Sequence, residues 1–285
     1  MIAQQLANGV VLGSIYALSA LGFTLIFGAA RVVNFAYGAL LMLGGFATLL
    51  LTQSAGLGFF VALPLAMLIM AGAGVLVFYL VVRPVLGRGD LAVLLVTTGL
   101  LYILREGAII VFGTEPRQID MGVEGIVEIG DVVITNQRLV VIGCLVVLVG
   151  LLYVVLYRLR IGKALRAVAQ NRAGAEAIGL NINRVTAFAF AVSGGLACAA
   201  GGLLGAIYAA EPDMGDLPLL KSFVIVIFGG LGSVPGAIVG GLAIGLIETL
   251  SGAYISFAFK DGFTFVVLIA VLLFRPTGLF SSRMT

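Results

Sequence analysis

Long apolar runs separated by short polar stretches make up most of this chain. A helix needs about 20 apolar residues to cross the hydrocarbon core of a bilayer. Runs close to that length recur along the sequence, so the pattern predicts an all-α polytopic membrane protein with eight or nine transmembrane helices. The candidate spans lie near 6–29, 35–51, 59–82, 91–112, 139–157, 186–209, 219–231, 236–250 and 263–274.

The seventh run, 219–231, is too short to cross a bilayer alone, and it meets the eighth at a glycine-rich break between Gly229 and Gly236. Broken helices occur at membrane depth where their backbone is buried in protein or lines a cavity. The break is therefore a candidate pore or gating element. Glycines spaced four apart, beginning at Gly236 and Gly241, are typical of close helix packing, either within the subunit or at a subunit interface or pore lining.

Basic residues concentrate on one side of the predicted spans. The segment 158–184 carries six arginines and lysines against a single acid, Glu176, whereas acids dominate the opposite loops. Lys and Arg near membrane spans are retained in the cytoplasm, so the pattern predicts the N-terminus outside and the C-terminus inside. Lys221 and Lys260 count as outer-side residues in this scheme. Five further basic residues join the inner side: Arg31, Arg83, Arg88, Arg275 and Arg283.

The largest outer loop, 113–137, is acidic and contains two β-prone runs separated by Gly130-Asp131. This arrangement predicts a small hairpin. Such a hairpin either receives an extracellular partner or only covers the mouth of a pore, and the sequence favours neither.

Composition excludes several functions. The chain has no histidine, and Cys144 and Cys198 both lie in apolar runs, so neither a nitrogen-ligated metal site nor a Ser/His/Asp nucleophile system is expected. The nearest nucleotide-binding string, 215–222, has Leu220 where the motif needs its second glycine. The chain is therefore predicted to be no enzyme, to bind no cofactor itself and to bind no nucleic acid. Its N-terminal run is interpreted as a retained span and not as a signal peptide.

The basic segment 158–184 has the features of a cytoplasmic docking surface. Its sequence predicts an amphipathic helix, a break at Gly179 and a new helix beginning near Asn183. Alternating alanines over 173–177 give it a low profile that could seat in a groove on a partner. The alternative is that the segment only fixes the topology, for which the charges alone suffice.

Ionisable residues inside the predicted spans are few. Arg105 and Glu106 lie in the outer half of the fourth span, and Glu248 lies near the outer end of the eighth. Such residues are functional candidates in a membrane, but their positions near the rim also fit a structural role. Proton- and sodium-coupled carriers usually place polar groups at the midplane, where this sequence offers almost none.

Four motifs occur in order along the chain: GSIYAL at 13–18, NFAYG at 34–38, RAVAQN at 166–171 and GGLGS at 229–233. Together they resemble the permease subunits of ABC importers for branched-chain and other hydrophobic amino acids, in particular the smaller of the two permeases. That family usually has histidine where this chain has Tyr37, so a proton-transfer role is not carried over to this position.

The resemblance implies two groups of site residues. The first is an ATPase-coupling loop with Arg166, Gln170, Asn171, Ala175, Glu176, Gly179, Leu180 and Asn181. The second is a set of pore or gating candidates, namely Asn34, Tyr37, Gly38, Gly229, Gly230, Gly232, Ser233 and Gly236.

The resemblance also implies partners and a location. Residues 1–285 would form a single permease domain in the bacterial inner membrane. The partners would be a second related permease, two cytoplasmic ATPases that bind ATP and Mg²⁺, a periplasmic binding protein that delivers the amino acid, and the lipid bilayer. Two alternatives remain: a stand-alone secondary carrier or facilitator for small amphipathic solutes, and a structural subunit without a pore. The shortage of midplane charge argues against the carrier.

Overall fold

The computed structural model describes residues 2–130, 132–275 and 278–280. A π-helical turn, Phe78–Val82, continues α3, and two strands, β1 (Ile126–Ile129) and β2 (Val132–Thr135), pair between α4 and α5. The helices are α1 (Ile2–Ala30), α2 (Ala36–Gln53), α3 (Phe59–Val77), α4 (Asp90–Phe112), α5 (Asn136–Tyr157), α6 (Arg160–Gln170), α7 (Arg172–Ala177), α8 (Ile182–Ile207), α9 (Asp216–Gly229), α10 (Val234–Tyr254) and α11 (Lys260–Phe274).

Within these ranges, seven helices are long and apolar enough to cross a membrane: α1, α2, α3 with its π turn, α4, α5, α8 and α10. The prediction of a polytopic, mostly helical membrane protein is confirmed. The helices α9 and α11 have 14 and 15 residues, so each is about 21–23 Å long, less than the roughly 30 Å of hydrocarbon. The count of eight or nine spans and the orientation of the termini stay predictions.

The helix α1 lies at the centre of the bundle. It packs against α8, α9 and α10, and every residue from Gly13 to Ile26 is buried. A helix that is apolar all round suits either a protein core or a membrane span, and α1 occupies the core. By contrast, α3, α4 and α5 expose large apolar side chains, among them Leu68 and Ile110 at 70% and 85% exposure. Their outer faces suit lipid or another membrane subunit.

Glycines bring α1 and α10 into backbone contact. A Cβ added to Gly13 would lie 2.8 Å from the Cα of Leu242, and one added to Gly241 would lie 2.5 Å from the Cα of Ala17. Small residues permit this approach, which supplies van der Waals contact where no hydrophobic effect drives helices together. The glycines of α10 thus serve packing within the subunit, one of the two interpretations that the sequence allows.

The break between α9 and α10 is present as predicted. Gly230 and Gly232 have φ of 101° and 81°, values that favour glycine. Ser233 caps α10, because its Oγ accepts a hydrogen bond from the Gly236 N–H at 3.1 Å. The backbones of Gly229 and Gly236 pack directly against each other. The chain therefore reverses at this point within the packed protein.

The predicted hairpin also forms. The strands are antiparallel, from Ile126 opposite Thr135 to Ile129 opposite Val132. Asp131 of the predicted turn lies outside the described residues. The Gln4 side chain in α1 donates to the Val133 carbonyl and accepts from its N–H, both at 2.8 Å. This pair of bonds ties the hairpin to the N-terminal end of α1.

Two lysines that the sequence assigns to the outer side lie within helices. Lys221 lies in the second turn of α9 and is 3% exposed. Lys260 begins α11, where the sequence placed the start of the run at 263. Both helices begin with an acid in the first turn, Asp216 and Asp261, which stabilises a helix N-terminus and extends each helix past its apolar run.

Candidate functional site

The basic segment folds into two short helices that precede α8. Asn171 separates α6 from α7 and caps α7, since its Oδ1 accepts a hydrogen bond from the Gly174 N–H at 2.9 Å. Asn181 caps α8 in the same way through the Arg184 N–H at 3.1 Å. Gly179 has φ of 85°. The break at Gly179 was predicted, whereas the break at Asn171 was not.

The helix α6 is anchored to the membrane bundle. Its Leu165 and Val168 are buried, and Gly162 packs against the backbone of the last turn of α5. The Arg166 guanidinium lies 4.3 Å from the centroid of the Tyr157 ring, a cation–π contact that holds this predicted coupling residue. The Arg31 side chain donates to the α6 backbone at 3.2 Å. Movement of α6 would therefore reach both α1 and α5.

The predicted coupling residues divide into exposed and buried groups. Ala175 is 3% exposed, so its side chain cannot seat in a partner's groove, and that part of the prediction is wrong. The six-residue helix α7 must turn one side toward the bundle, and the alternation of alanines did not reveal which. Leu180 is half-buried. The exposed members are Gln170, Asn171, Glu176, Gly179 and Asn181.

Ile178 is a surface residue that the sequence reasoning missed. It is 76% exposed between α7 and Gly179. It is therefore a large apolar side chain at the surface of an otherwise polar segment. Its signal in the sequence was a single large apolar residue among alanine, glycine and charged neighbours.

The N-terminal pore candidates lie in packed interior. Tyr37 is fully buried, and its hydroxyl donates to the Ser19 carbonyl at 2.7 Å. A Cβ on Gly22 would lie 2.5 Å from the Tyr37 hydroxyl. Asn34 is 1% exposed, and its Oδ1 accepts from the Ala36 N–H. The tyrosine that replaces the expected histidine therefore locks α2 onto α1.

The remaining candidates lie against neighbouring helices or at the break. Gly38 packs against the turn that begins α9, where an added Cβ would lie 3.0 Å from the Gly215 carbonyl oxygen. Gly229, Gly230 and Gly236 are buried, whereas Gly232 is exposed and Ser233 half-buried. Residues 278–280 close over this region, because Leu279 and Phe280 donate backbone hydrogen bonds to α9 carbonyls at 2.9 and 3.0 Å.

A cluster of buried charges joins four helices, and the sequence reasoning did not find it. The Lys221 Nζ donates to the Glu248 carboxylate and to the Tyr16 hydroxyl, both at 2.7 Å. The Tyr16 hydroxyl donates to Glu248 at 3.0 Å. The Asp261 Oδ1 lies 2.7 Å from the same ammonium as an ion pair, although its angle falls outside hydrogen-bond geometry. Glu248 is 3% exposed, so its side chain is buried in the bundle.

A second ion-pair group lies nearer the surface. Arg105 contacts Asp213 at 2.6 Å and Asp216 at 3.2 Å, which joins α4 to the loop before α9. These side chains are 25–61% exposed, so the pairs contribute at most about 1 kcal/mol each. These contacts fit the structural role that was considered for Arg105, and the functional role stays untested.

Comparison with known proteins agrees with this architecture. A family model described as branched-chain amino acid transport system / permease component matches residues 5–272. The LivH permease protein of Escherichia coli K12 and the BraD permease protein of Pseudomonas aeruginosa are each 32% identical, with 97% of this chain and 94% of each relative covered. Both are described as high-affinity branched-chain amino acid transport system permease proteins. A probable LivH of Methanocaldococcus jannaschii is 30% identical over 96% of this chain and 91% of that relative.

The chain therefore belongs to the family of branched-chain amino acid transport system permease components. It is a multi-pass membrane protein.

Proposed function

We propose that this chain is a permease subunit of an ATP-driven ABC importer for branched-chain or related hydrophobic amino acids. The observation that carries the proposal is the family match over residues 5–272, with permease relatives aligned over nearly their whole length. The partners are two cytoplasmic ATPases that bind ATP and Mg²⁺, a second related permease and a periplasmic binding protein. The complex lies in the bacterial inner membrane with α6 and α7 in the cytoplasm, which is where the basic residues of 158–184 would be retained.

The basic segment supplies a lever for the ATPases. The exposed residues of α7 and the adjacent Ile178 form an accessible surface of the segment. The side of the segment that faces the helix bundle is held by the buried α6 residues. It is also held by the Asn181 cap, which begins α8. A displacement of α7 would pass directly into α8, which packs on α1, α2 and α3. ATP binding by the partners would in this way alter the packing of the central helices and alternate access to the path.

The translocation path itself would lie between this chain and the second permease. In the described part of the chain, the central helices α1 and α8 are closely packed around small residues, which favours a path at the edge of the bundle. The outer apolar faces of α3, α4 and α5 would then be shared between lipid and the partner permease.

The test is capture of an ATPase from native membranes by the tagged chain. Ile178→Asp places a charge at the centre of the proposed contact and should reduce ATPase capture at least tenfold, since a buried isoleucine is worth about 1.5–3 kcal/mol. Ile126→Asp is the matched control, because Ile126 is 58% exposed on the hairpin at the opposite end of the predicted topology. It should capture as much ATPase as the natural chain. Failure of the natural chain to retain any ATPase, or equal capture by the natural chain and both variants, would contradict the proposal.

A further inference from the structure

Two cavities flank the buried charge cluster and share part of their walls. Their volumes are about 310 and 290 Å³, close to the lower limit of typical small-molecule sites, about 300 Å³. Residues from α1, α5, α10 and the start of α11 line the first, and residues preceding α9 line much of the second. The residues common to both are Leu12, Tyr208, Glu248 and Lys260.

The buried charge cluster beside the cavities carries excess negative charge. Glu248 faces both cavities, and Asp261 lines the second. The single ammonium of Lys221 lies between these two carboxylates, so the ionised cluster has one negative charge more than it has positive. The Asp261 side chain is 36% exposed, which leaves it accessible to a ligand. A cationic group in the cavity would balance this charge.

The first cavity also carries positive charge without carboxylate partners. Arg138 and Lys260 both line the first cavity. In the part of the chain that the structure describes, neither lies within ion-pair distance of an acid. Arg138 donates instead to the Asn8 side-chain oxygen, and the Lys260 ammonium lies 4.4 Å from the centroid of the Phe257 ring. Arg donors are well suited to a carboxylate, which they can bind through two parallel hydrogen bonds.

Apolar side chains line another part of the first cavity, beside the polar Gln5, Asn8 and Thr249. Val11, Ile15 and Ile207 contribute branched aliphatic side chains, and Ala253 and Phe257 complete the surface. A ligand that fits must therefore carry a cation, an anion and an apolar group within a small volume.

We propose that these cavities bind the zwitterionic head group and apolar side chain of an α-amino acid at the outer end of the subunit, before the amino acid enters the path between the two permeases. The ammonium group would lie toward Glu248 and Asp261, and the carboxylate toward Arg138 and Lys260. The aliphatic side chain would contact Val11, Ile15 and Ile207. This inference rests on the proposed importer function, and it assigns specific residues of this chain to substrate recognition. The site lies near the C-terminal end of α10, which is the outer end in the predicted topology and the side from which a binding protein delivers its ligand.

Direct binding to the captured complex, in lipid nanodiscs and without the binding protein, tests the site. Radiolabelled leucine and isopentylamine, which lacks only the carboxylate, are compared by equilibrium dialysis. Arg138→Gln should weaken leucine binding about ten- to a hundredfold, the usual effect of losing a hydrogen bond between charged groups. It should leave the weaker binding of isopentylamine unchanged. Arg138→Lys should restore most of the leucine affinity, which loss of fold could not explain.

Arg117→Gln is the matched control, since Arg117 is exposed in the outer loop and lines neither cavity. It should bind leucine as the natural chain does. Equal leucine affinity in the natural chain and Arg138→Gln, or equal affinity of the natural chain for leucine and isopentylamine, would overturn the inference. So would a natural complex that binds no leucine. ATP-dependent uptake with the binding protein present, measured in parallel, reports separately whether the importer function holds.

Discussion

Removal of the Lys221 ammonium should destabilise the membrane bundle severely. Lys221 and Glu248 are each about 3% exposed, and their charged atoms lie 2.7 Å apart. Lys221→Met would leave the Glu248 carboxylate buried with only the Tyr16 hydroxyl as a donor. Loss of one partner from a buried pair costs about 3–5 kcal/mol. Asp261 adds little to this figure, because its side chain is 36% exposed and can be hydrated.

The same reasoning predicts recovery when both charges are removed. A buried pair replaced by apolar side chains of similar volume is often as stable as the original. Lys221→Met with Glu248→Leu should therefore cost at least about 2 kcal/mol less than the sum of the two single variants, which is a coupling within the range found for contacting residues. The Tyr16 hydroxyl loses its partner in the double variant, so full recovery is not expected.

The assay is reversible unfolding of the purified chain in mixed micelles, with SDS as denaturant and loss of helical circular dichroism as the signal. Free energies of unfolding are compared for the natural chain, both single variants and the double variant. A Lys221→Met chain as stable as the natural one, or a double variant whose loss equals the sum of the single losses, would refute the view that these charges form one buried unit.

Three further predictions follow from the packing and caps. Gly241→Ala should lower the free energy of unfolding by about 1–3 kcal/mol, because the added methyl group overpacks against α1. Gly72→Ala should not lower it, because the Cβ position of Gly72 faces open space. The same SDS titration compares the two variants. Tyr37→Phe should lose about 0.5–1.5 kcal/mol with its bond to Ser19 yet retain transport; an abolished transport would mean that the hydroxyl acts in the path. Asn171→Ala should cost about 1 kcal/mol of local stability, because it removes the cap of α7. The loss should appear as faster amide hydrogen exchange confined to α7. Unchanged exchange in α7 would contradict the capping role.

Local sequence signals predicted most of the fold. The apolar runs gave the long helices, because a span of fixed thickness imposes a fixed length. The broken pair at Gly229–Gly236 followed from a short apolar run and a dense group of glycines. The hairpin followed from two β-prone runs around a turn. In each of these cases the deciding residues are neighbours in the chain.

The buried charge cluster could not be found in the same way. Tyr16 and Glu248 are separated by 232 positions, and the sequence around each residue gives no indication of a contact with the other. Lys221 lies at the edge of its apolar run, so it was counted only as a charge on the outer side of the membrane. Its isolation among apolar residues was the available signal, since a lone lysine in such a run needs a partner.

The structure of the basic segment 158–184 was predicted in outline, and its details depended on packing. Basic charge and the break at Gly179 identified it, but the buried side of α7 was not readable from a six-residue helix. Asn171 carried a usable signal, because asparagine is a preferred N-cap residue. Ala175 is buried, and this matters for experiments, since a charge placed there would disturb the fold as well as the docking surface.

Uptake by the reconstituted complex is the most direct test of the central claim. The tagged chain and its captured partners are placed in proteoliposomes with the loaded binding protein outside and ATP or ADP within, and entry of radiolabelled leucine is followed. Concentrative uptake with ATP, and none with ADP, is the predicted result. Equal uptake with ATP and ADP, or uptake by the purified chain alone, would contradict the account and identify the chain as a secondary carrier or facilitator.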